Sequence, residues 1–273
     1  MEPVTENRIG QRFSSLHSER KAAFVAYVCA GDPDMSRSLE VVHALDRAGA
    51  DVIELGVPFS DPMADGIVNQ MAAQRALESG ATTHKVLDLV RKFRETSGTP
   101  LVLFTYLNPI YVYGFSDFHR DAASAGVDGI LLLDLPPEEL GRNREIHETH
   151  ELKHIRLIAP TTPPGRIPQL ASTSEGFLYY VSREGVTGAQ TDLAQGIEAN
   201  VAAIKEHSQV PVVVGFGIST PEQSAEVAGV ADGVVVGSAI VRQIEMNQGD
   251  SGATLAAKVE AFVKPLVEGV KSV

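Results

Sequence analysis

Short apolar runs alternate with longer amphipathic segments along almost the whole chain. Each short run is rich in β-branched or other apolar residues and ends near Gly, Pro or Asp. The longer segments place apolar residues at helical spacing, as Leu39, Val42 and Leu45 do, which is typical of a helix with one buried face. This alternation predicts repeated β-α units, with strands at 24–29, 51–57, 101–106, 127–133, 155–159, 177–182, 210–215 and 232–236.

Eight such units predict one (β/α)8 TIM barrel, an α/β fold that forms a single domain over residues 1–273. Residues 130–133 are apolar without alternation, as expected for a parallel strand that is covered on both faces. A doubly wound open sheet is the competing fold, and the number of predicted strands disfavours it.

The two ends of the chain predict further helices. Ile9, Phe13 and Leu16 recur at helical spacing before the first strand, so we expect an extra N-terminal helix that plugs the bottom of the barrel. Residues 255–270 predict the last helix. The start of the chain is polar and lacks the apolar core of a secretory signal, and no apolar run approaches the length of about 18 residues that spans a membrane. We therefore expect a cytoplasmic protein.

Charge and composition narrow the possible partners and chemistry. The chain has 35 Asp and Glu residues against 23 Lys and Arg, a formal charge of −12, which disfavours binding to nucleic acid or to an anionic membrane. Cys29 lies in an apolar run, so it is expected to be a small buried residue without a chemical role. His147, His150 and His154 straddle a predicted helix end and the start of strand five, where a solvated face is expected instead of a metal site.

Strand two carries a carboxylate toward the predicted barrel interior. Its period of two sends Ile53 and Leu55 to the helices and Glu54 to the inside. Burial there would raise the pKa of Glu54 toward the range that suits proton transfer. Gly56, one layer above, is expected to leave room for a substrate. The alternative is a structural Glu54 that is paired with an Arg or Lys side chain.

The loop after strand two adds two more carboxylates, Asp61 and Asp65. Its small and rigid residues, at 58–66, are typical of a loop with a function. Asp65 would complement Glu54 as a second acid. The alternative is that Asp61 and Asp65 only cap turns and a helix.

Three glycine-containing loops follow strands six, seven and eight. Residues 215–219 and 237–238 stand where the backbone N–H groups of many barrels bind a phosphate. Residues 182–189 have two glycines around a threonine and no apolar stripe, so we expect a mobile lid. Together these loops predict a small phosphorylated substrate.

Four segments, residues 54–66, 106–110, 182–188 and 215–219, closely resemble the tryptophan synthase alpha subunit family. Each segment follows a different predicted strand, residues 31–33 also fit, and the resemblance covers nearly the whole chain. It implies a lyase that cleaves indole-3-glycerol phosphate by a retro-aldol reaction into indole and glyceraldehyde 3-phosphate. It also implies that this chain uses no metal and no organic cofactor.

The resemblance gives each candidate residue a role. Glu54 would be the general acid/base, and Asp65 would accept a hydrogen bond from the indole N–H. Thr187 would reach Asp65 when the lid closes. The remaining substrate-binding residues would be Tyr27, Phe104 and Tyr106 around the indole, Tyr179 near the site, and Gly188, Gly217, Gly237 and Ser238 at the phosphate.

The resemblance also implies a partner, a pyridoxal-phosphate-dependent beta subunit that receives indole directly for tryptophan biosynthesis in an alpha2beta2 tetramer. The partner would dock on the loops around Asp61, Pro62, Asn108 and Pro109, and the pyridoxal phosphate would belong to the partner. Two other functions stay open. One is a stand-alone lyase that needs no beta subunit, and the other is a silent regulatory barrel that binds substrate without turning it over.

Two departures from the family pattern concern the site. The family usually continues with Pro-Thr after Asp65-Gly66, whereas this chain has Ile67-Val68, and Cys29 stands where Thr is common. Neither departure changes Glu54 or Asp65. The missing proline predicts a looser loop around Asp65 in the absence of the partner.

Overall fold

The computed structural model describes residues 7–140, 152–182, 190–215 and 217–273. Eight parallel strands each pair with the next along the chain, and the last pairs with the first, so the sheet closes into a barrel. The closed strand order confirms the (β/α)8 barrel and excludes the open sheet. In chain order, β1 to β8 are Ala23–Cys29, Val52–Gly56, Leu101–Thr105, Gly129–Leu132, Lys153–Ile158, Leu178–Val181, Val212–Gly215 and Gly233–Val236.

Helices connect the strands on the outside of the barrel, because parallel neighbours need a crossover connection. The last helix packs against the second and the tenth, and it thereby joins the two ends of the helical ring. A 3-10 turn at Pro164–Arg166 precedes the eighth helix. In chain order, the described helices α1 to α12 are Arg8–Ser18, Met35–Arg47, Ile67–Glu78, Thr83–Arg94, Leu107–Tyr113, Phe115–Ala125, Pro137–Leu140, Ile167–Ser172, Gln190–Lys205, Pro221–Ala228, Ser238–Met246 and Gly252–Lys271.

Helix α1 closes the N-terminal end of the barrel, as the sequence predicts. Ile9, Phe13 and Leu16 are buried, and they join one apolar cluster with the inward side chains of the strands. The ring centroids of Phe13 and Phe177 are 5.8 Å apart. The interior is therefore sealed at this end, and a ligand has to approach from the carboxyl ends of the strands.

Aspartates brace the strands near the same end of the barrel. Asp51, Asp128 and Asp232 each stand immediately before a strand, and each carboxylate accepts a backbone N–H from the neighbouring strand at 2.6 to 2.8 Å. These bonds link the starts of adjacent strands through side chains, in addition to the backbone ladder. The donors are the N–H groups of Phe24, Leu101 and Val212.

Asp128 is bonded to two arginines as well as to the neighbouring strand. Its side chain is 2% exposed, and its Oδ2 and Oδ1 accept from Arg94 at 2.6 Å and from Arg8 at 2.7 Å. The carboxylate also accepts the N–H of Leu101 at 2.8 Å. A buried charge with this many donors is stable as a set, but the loss of the carboxylate leaves the guanidinium of Arg94 without its counter-charge.

Asp128→Ala is expected to lower the free energy of unfolding by about 3 kcal/mol, because it leaves Arg94 and the Leu101 N–H without their partner. The matched control is Asp88→Ala, which removes an exposed pair with Arg91 and is expected to cost less than about 1 kcal/mol. Denaturant unfolding followed by circular dichroism measures both values. Equal losses in the two variants would contradict the bracing role of Asp128.

Candidate active site

Glu54 is fully buried on the inner side of β2. It has 0% exposure, and within the described residues neither carboxyl oxygen has a hydrogen-bond partner. Its neighbours Ile53 and Leu55 belong to the apolar layer under the helices, which agrees with the predicted strand period. The alternative of a structural Glu54 paired with Arg or Lys is therefore not found in the described part of the chain.

Burial sets the protonation state of this carboxyl. Desolvation raises the pKa of Glu54 from its ordinary 4.5 to about 8, because the charged form loses its hydration without gaining a partner. The carboxyl is consequently protonated at neutral pH. A carboxylic acid with a pKa near the working pH can both donate and accept a proton in one reaction cycle.

Asp65 is held in place by Tyr106 and Asn69. The Tyr106 hydroxyl donates to Asp65 Oδ2 at 2.6 Å, and Asn69 Nδ2 donates to Oδ1 at 3.5 Å. The same hydroxyl accepts the N–H of Ala64 at 3.0 Å. Burial raises the pKa of Asp65, while the bonds from Tyr106 and Asn69 lower it. The N-cap of α3 is Gly66 without a side-chain bond, so the alternative that Asp65 caps this helix is wrong.

A cavity of about 410 Å³ lies at the carboxyl ends of the strands. The rings of Tyr27 and Phe104 meet edge to face in its wall, with centroids 5.1 Å apart. Helix α11 begins at this cavity, and its N-cap Gly237 makes no side-chain capping bond. The cavity brings together most of the predicted substrate-binding residues, namely Tyr27, Phe104, Tyr179, Gly217, Gly237 and Ser238.

Glycines make room for two tyrosines in this region. A Cβ at Gly56 would lie 2.6 Å from the hydroxyl oxygen of Tyr27, and a Cβ at Gly215 would lie 2.5 Å from that of Tyr179. The expectation that Gly56 leaves space for substrate is therefore wrong, since the Tyr27 side chain occupies that space. The missing side chains let two aromatic rings fold against the backbone of the next strand.

Both acids act electrostatically on the cavity, although neither forms part of its wall. Burial is the largest cause that raises the pKa of Tyr27 and of Tyr179, and the charges of Glu54 and Asp65 raise both values further. The two carboxyls are therefore close enough to interact with rings that line the cavity. A ligand bound there would lie near both acids.

Some candidate residues lie elsewhere. Tyr106 does not line the cavity, and its hydroxyl bonds Asp65 instead. Thr187 and Gly188 lie outside the described residues, as does most of the predicted lid. Sequence reasoning missed two polar cavity-lining residues, Asn69 and Arg242. The signal for Arg242 was present, because it stands four positions after the candidate Ser238 at the start of a helix, which is one helical turn.

The histidine prediction was partly wrong. His154 is 5% exposed and stacks on His119, with ring centroids 5.7 Å apart, so it lies under a helix and not on a solvated face. His147 and His150 lie outside the described residues. No group of three or more His, Cys, Asp or Glu in the described part of the chain could hold a metal ion. Cys29 is buried, as predicted, and burial raises its pKa.

The closed barrel, with two carboxyl groups near a cavity at the carboxyl ends of its strands, defines a (β/α)8-barrel enzyme suited to proton transfer. The family model described as tryptophan synthase alpha chain matches residues 13–271. The chain belongs to the tryptophan synthase alpha chain family, lyases of tryptophan biosynthesis that act on indole-3-glycerol phosphate.

Relatives and solved structures agree with this assignment over nearly the full length. The chain is 51% identical to the tryptophan synthase alpha chain of Opitutus terrae, covering 97% of this chain and 99% of that protein. It is 48% identical to that of Geobacter sulfurreducens, with the same coverage. The crystal structure of tryptophan synthase subunit alpha from Legionella pneumophila has a TM-score of 0.88, 38% identity and 97% and 99% coverage. A structure of Mycobacterium tuberculosis tryptophan synthase has a TM-score of 0.86, 35% identity and 97% and 98% coverage.

Glu54→Gln is expected to stabilise the fold by an amount that grows with pH. The pKa of Glu54 is near 4.5 when the chain is unfolded and about 8 when it is folded, so the folded state binds more protons between these values. Wild-type stability therefore falls as the pH rises through this range, whereas a glutamine does not titrate. Denaturant unfolding of both proteins at a series of pH values measures the difference. A difference that does not vary with pH would contradict the raised pKa.

Proposed function

We propose that Glu54 is the general acid/base in the cleavage of indole-3-glycerol phosphate and that Asp65 binds the indole N–H. The observation that carries this proposal is the buried carboxyl of Glu54, unpaired among the described residues, whose pKa of about 8 keeps it protonated at neutral pH. Desolvation without a structural partner is a cost that proteins tolerate mainly at functional sites. No other described acid in this chain combines full burial with the lack of a partner.

The reaction begins with the protonation of a carbon atom of the indole ring. Glu54 donates its proton to C3 of the indole ring, and the ring nitrogen takes up the resulting positive charge. Asp65 accepts a hydrogen bond from this N–H, and its negative charge stabilises the cationic ring. The bonds from Tyr106 and Asn69 support this role, because they orient the Asp65 carboxylate and lower its pKa.

Bond cleavage restores the proton to Glu54. The Glu54 carboxylate accepts the proton of the glycerol hydroxyl as the bond between that carbon and C3 breaks. The hydroxyl carbon becomes the aldehyde of glyceraldehyde 3-phosphate. The electron pair of the broken bond returns to the ring, neutralises its charge and leaves indole. Glu54 ends as the acid with which it started, so no metal or redox cofactor is required in this chain.

The substrate phosphate is assigned to the loops after β7 and β8. Gly217 and Gly237 line the cavity together with Ser238 at the start of α11, and a helix N-terminus offers unbonded N–H groups to an anion. Tyr27, Phe104 and Tyr179 would enclose the indole. For Thr187 and Gly188, the roles in lid closure and phosphate binding stay predictions that rest on the family resemblance.

The partner of this chain is a tryptophan synthase beta subunit, in an alpha2beta2 tetramer, and the pyridoxal phosphate belongs to that subunit. Large apolar side chains are exposed on the loop after β2, at the start of α3 and on α5, close in sequence to the predicted docking residues Asp61, Pro62, Asn108 and Pro109. Exposed apolar groups of this size are typical of a protein interface. They are Met63 at 89%, Ile67 at 68%, Tyr111 at 71% and Val112 at 79%.

The chain is further proposed to act in the cytoplasm as one domain over residues 1–273. Its family belongs to a biosynthetic route that uses small water-soluble intermediates. Among the helices that the structure describes, none has the length and apolar character to cross a membrane. A barrel whose last strand pairs with its first also requires both ends of the chain for closure, which supports a single unit.

Glu54→Gln is expected to lower the rate of indole release by a factor of about 10² to 10⁴, because the amide can neither donate nor accept the transferred proton. The fold should persist, since glutamine has nearly the same shape. The matched control is Glu95→Gln at the exposed C-terminus of α4, which should leave the rate unchanged. Indole release from indole-3-glycerol phosphate is the measurement, and normal turnover by Glu54→Gln would disprove the assigned role.

The same assay separates the open alternatives. We expect slow indole release by the purified chain and a strong increase when a cognate beta subunit is added, because docking orders the exposed loops next to Asp65. Release that is already fast without the partner would favour a stand-alone lyase. Absence of release under both conditions, with substrate still bound, would favour a silent regulatory barrel.

A further inference from the structure

The cavity has an unbalanced charge for the ligand that it is proposed to bind. Asp65 contributes a negative charge beside it, whereas Glu54 is protonated at neutral pH, and the chain as a whole carries −12. A phosphate ester brings a further charge of about −1.5 to −2. Among the described residues that line the cavity, the single charged side chain is the cation Arg242.

Arg242 stands one helical turn after the start of α11. Ser238 and Arg242 are four residues apart, so their side chains share one face of the helix, and both line the cavity. The N-cap Gly237 has no side-chain capping bond, which leaves the first N–H groups of α11 available to an anion. A guanidinium on the same face adds a fork of charged N–H donors beside these groups.

Arg242 is also free to bind a ligand. Glu245 is the one acid of α11, and its carboxylate accepts from Arg75 at 3.2 Å. Arg75 in turn bonds both oxygens of the buried Asp32 at 2.9 Å. This arrangement keeps Glu245 occupied, and within the described residues Arg242 has no ion pair of its own.

We propose that Arg242 binds the phosphate group of the substrate and sets the affinity of the site for phosphorylated ligands. The proposal deepens the proposed function and rests on it, because that function assigns the phosphate to Gly217, Gly237 and Ser238. Backbone N–H groups bind an anion but carry no net charge. The guanidinium supplies a positive charge that offsets the Asp65 carboxylate, and it acts on substrate binding without taking part in proton transfer.

Arg242→Gln is expected to raise the KM for indole-3-glycerol phosphate about tenfold, because one charge-assisted contact to the phosphate is lost. The kcat should change by less than about twofold, as expected when the contact is equal in the ground state and the transition state. The inhibition constant of glycerol 3-phosphate should rise by a similar factor. Arg242→Lys keeps the charge and loses the fork, so it should show a smaller rise.

Salt and a control variant separate a direct contact from a general charge effect. Arg242 is exposed, so the difference between wild type and Arg242→Gln should shrink at high ionic strength. Lys264→Gln removes the same charge from the exposed side of α12 and is expected to leave KM unchanged. A KM for Arg242→Gln within about twofold of wild type, or an equal rise in Lys264→Gln, would overturn the proposal.

Calorimetric binding of glycerol 3-phosphate to the full chain tests Arg242 without turnover. Tight binding by wild type and weak binding by Arg242→Gln supports the proposal. This result supports it even if the complex with the beta subunit does not cleave substrate, an outcome that would disprove the proposed function alone. Equal binding by the two proteins overturns the role of Arg242 and leaves the proposed function intact when cleavage is normal. Absence of binding to wild type also overturns the role of Arg242.

Discussion

The burial of the Glu54 carboxyl, with no charge partner among the described residues, is the constraint on which the rest of the site depends. Water or a nearby cation would return the pKa of this group to the acidic range and remove its proton at neutral pH. In the described part of the chain the closed barrel leaves the carboxyl with 0% exposure and no partner, and α1 seals one end of the interior. The stability lost by desolvating Glu54 is offset by packing and ion pairs elsewhere.

Carboxylates at the two ends of the barrel have different bonding partners. Near the N-terminal end, Asp51 and Asp128 are each bonded to two cations and a backbone N–H, so their charges stabilise the strand starts. At the carboxyl ends, within the described residues, Glu54 has no partner and Asp65 has only neutral donors, Tyr106 and Asn69. The same residue types thus brace the fold at one end and remain available for chemistry at the other.

Several features of the site could not be read from local patterns. The period of strand two correctly predicts that Glu54 points inward, because alternation is a property of the strand itself. The space above Gly56 depends instead on Tyr27, a residue of the neighbouring strand that closes over it. His154 also depends on a residue that is distant in the chain. Its charged neighbours in the sequence suggest a solvated face, but His119 from α6 covers it.

The sequence by itself determined the order of the elements, the side of each strand that faces inward and the family motifs, because these follow from residue periodicity and spacing along the chain. Only the tertiary structure decided that the Glu54 carboxyl has no partner in the described residues, that the Tyr106 hydroxyl holds Asp65, and that Arg242 reaches the cavity. These facts depend on distances between residues that are far apart in the chain. Such distances arise when the eight strands close, and closure brings together groups whose contacts no local pattern specifies.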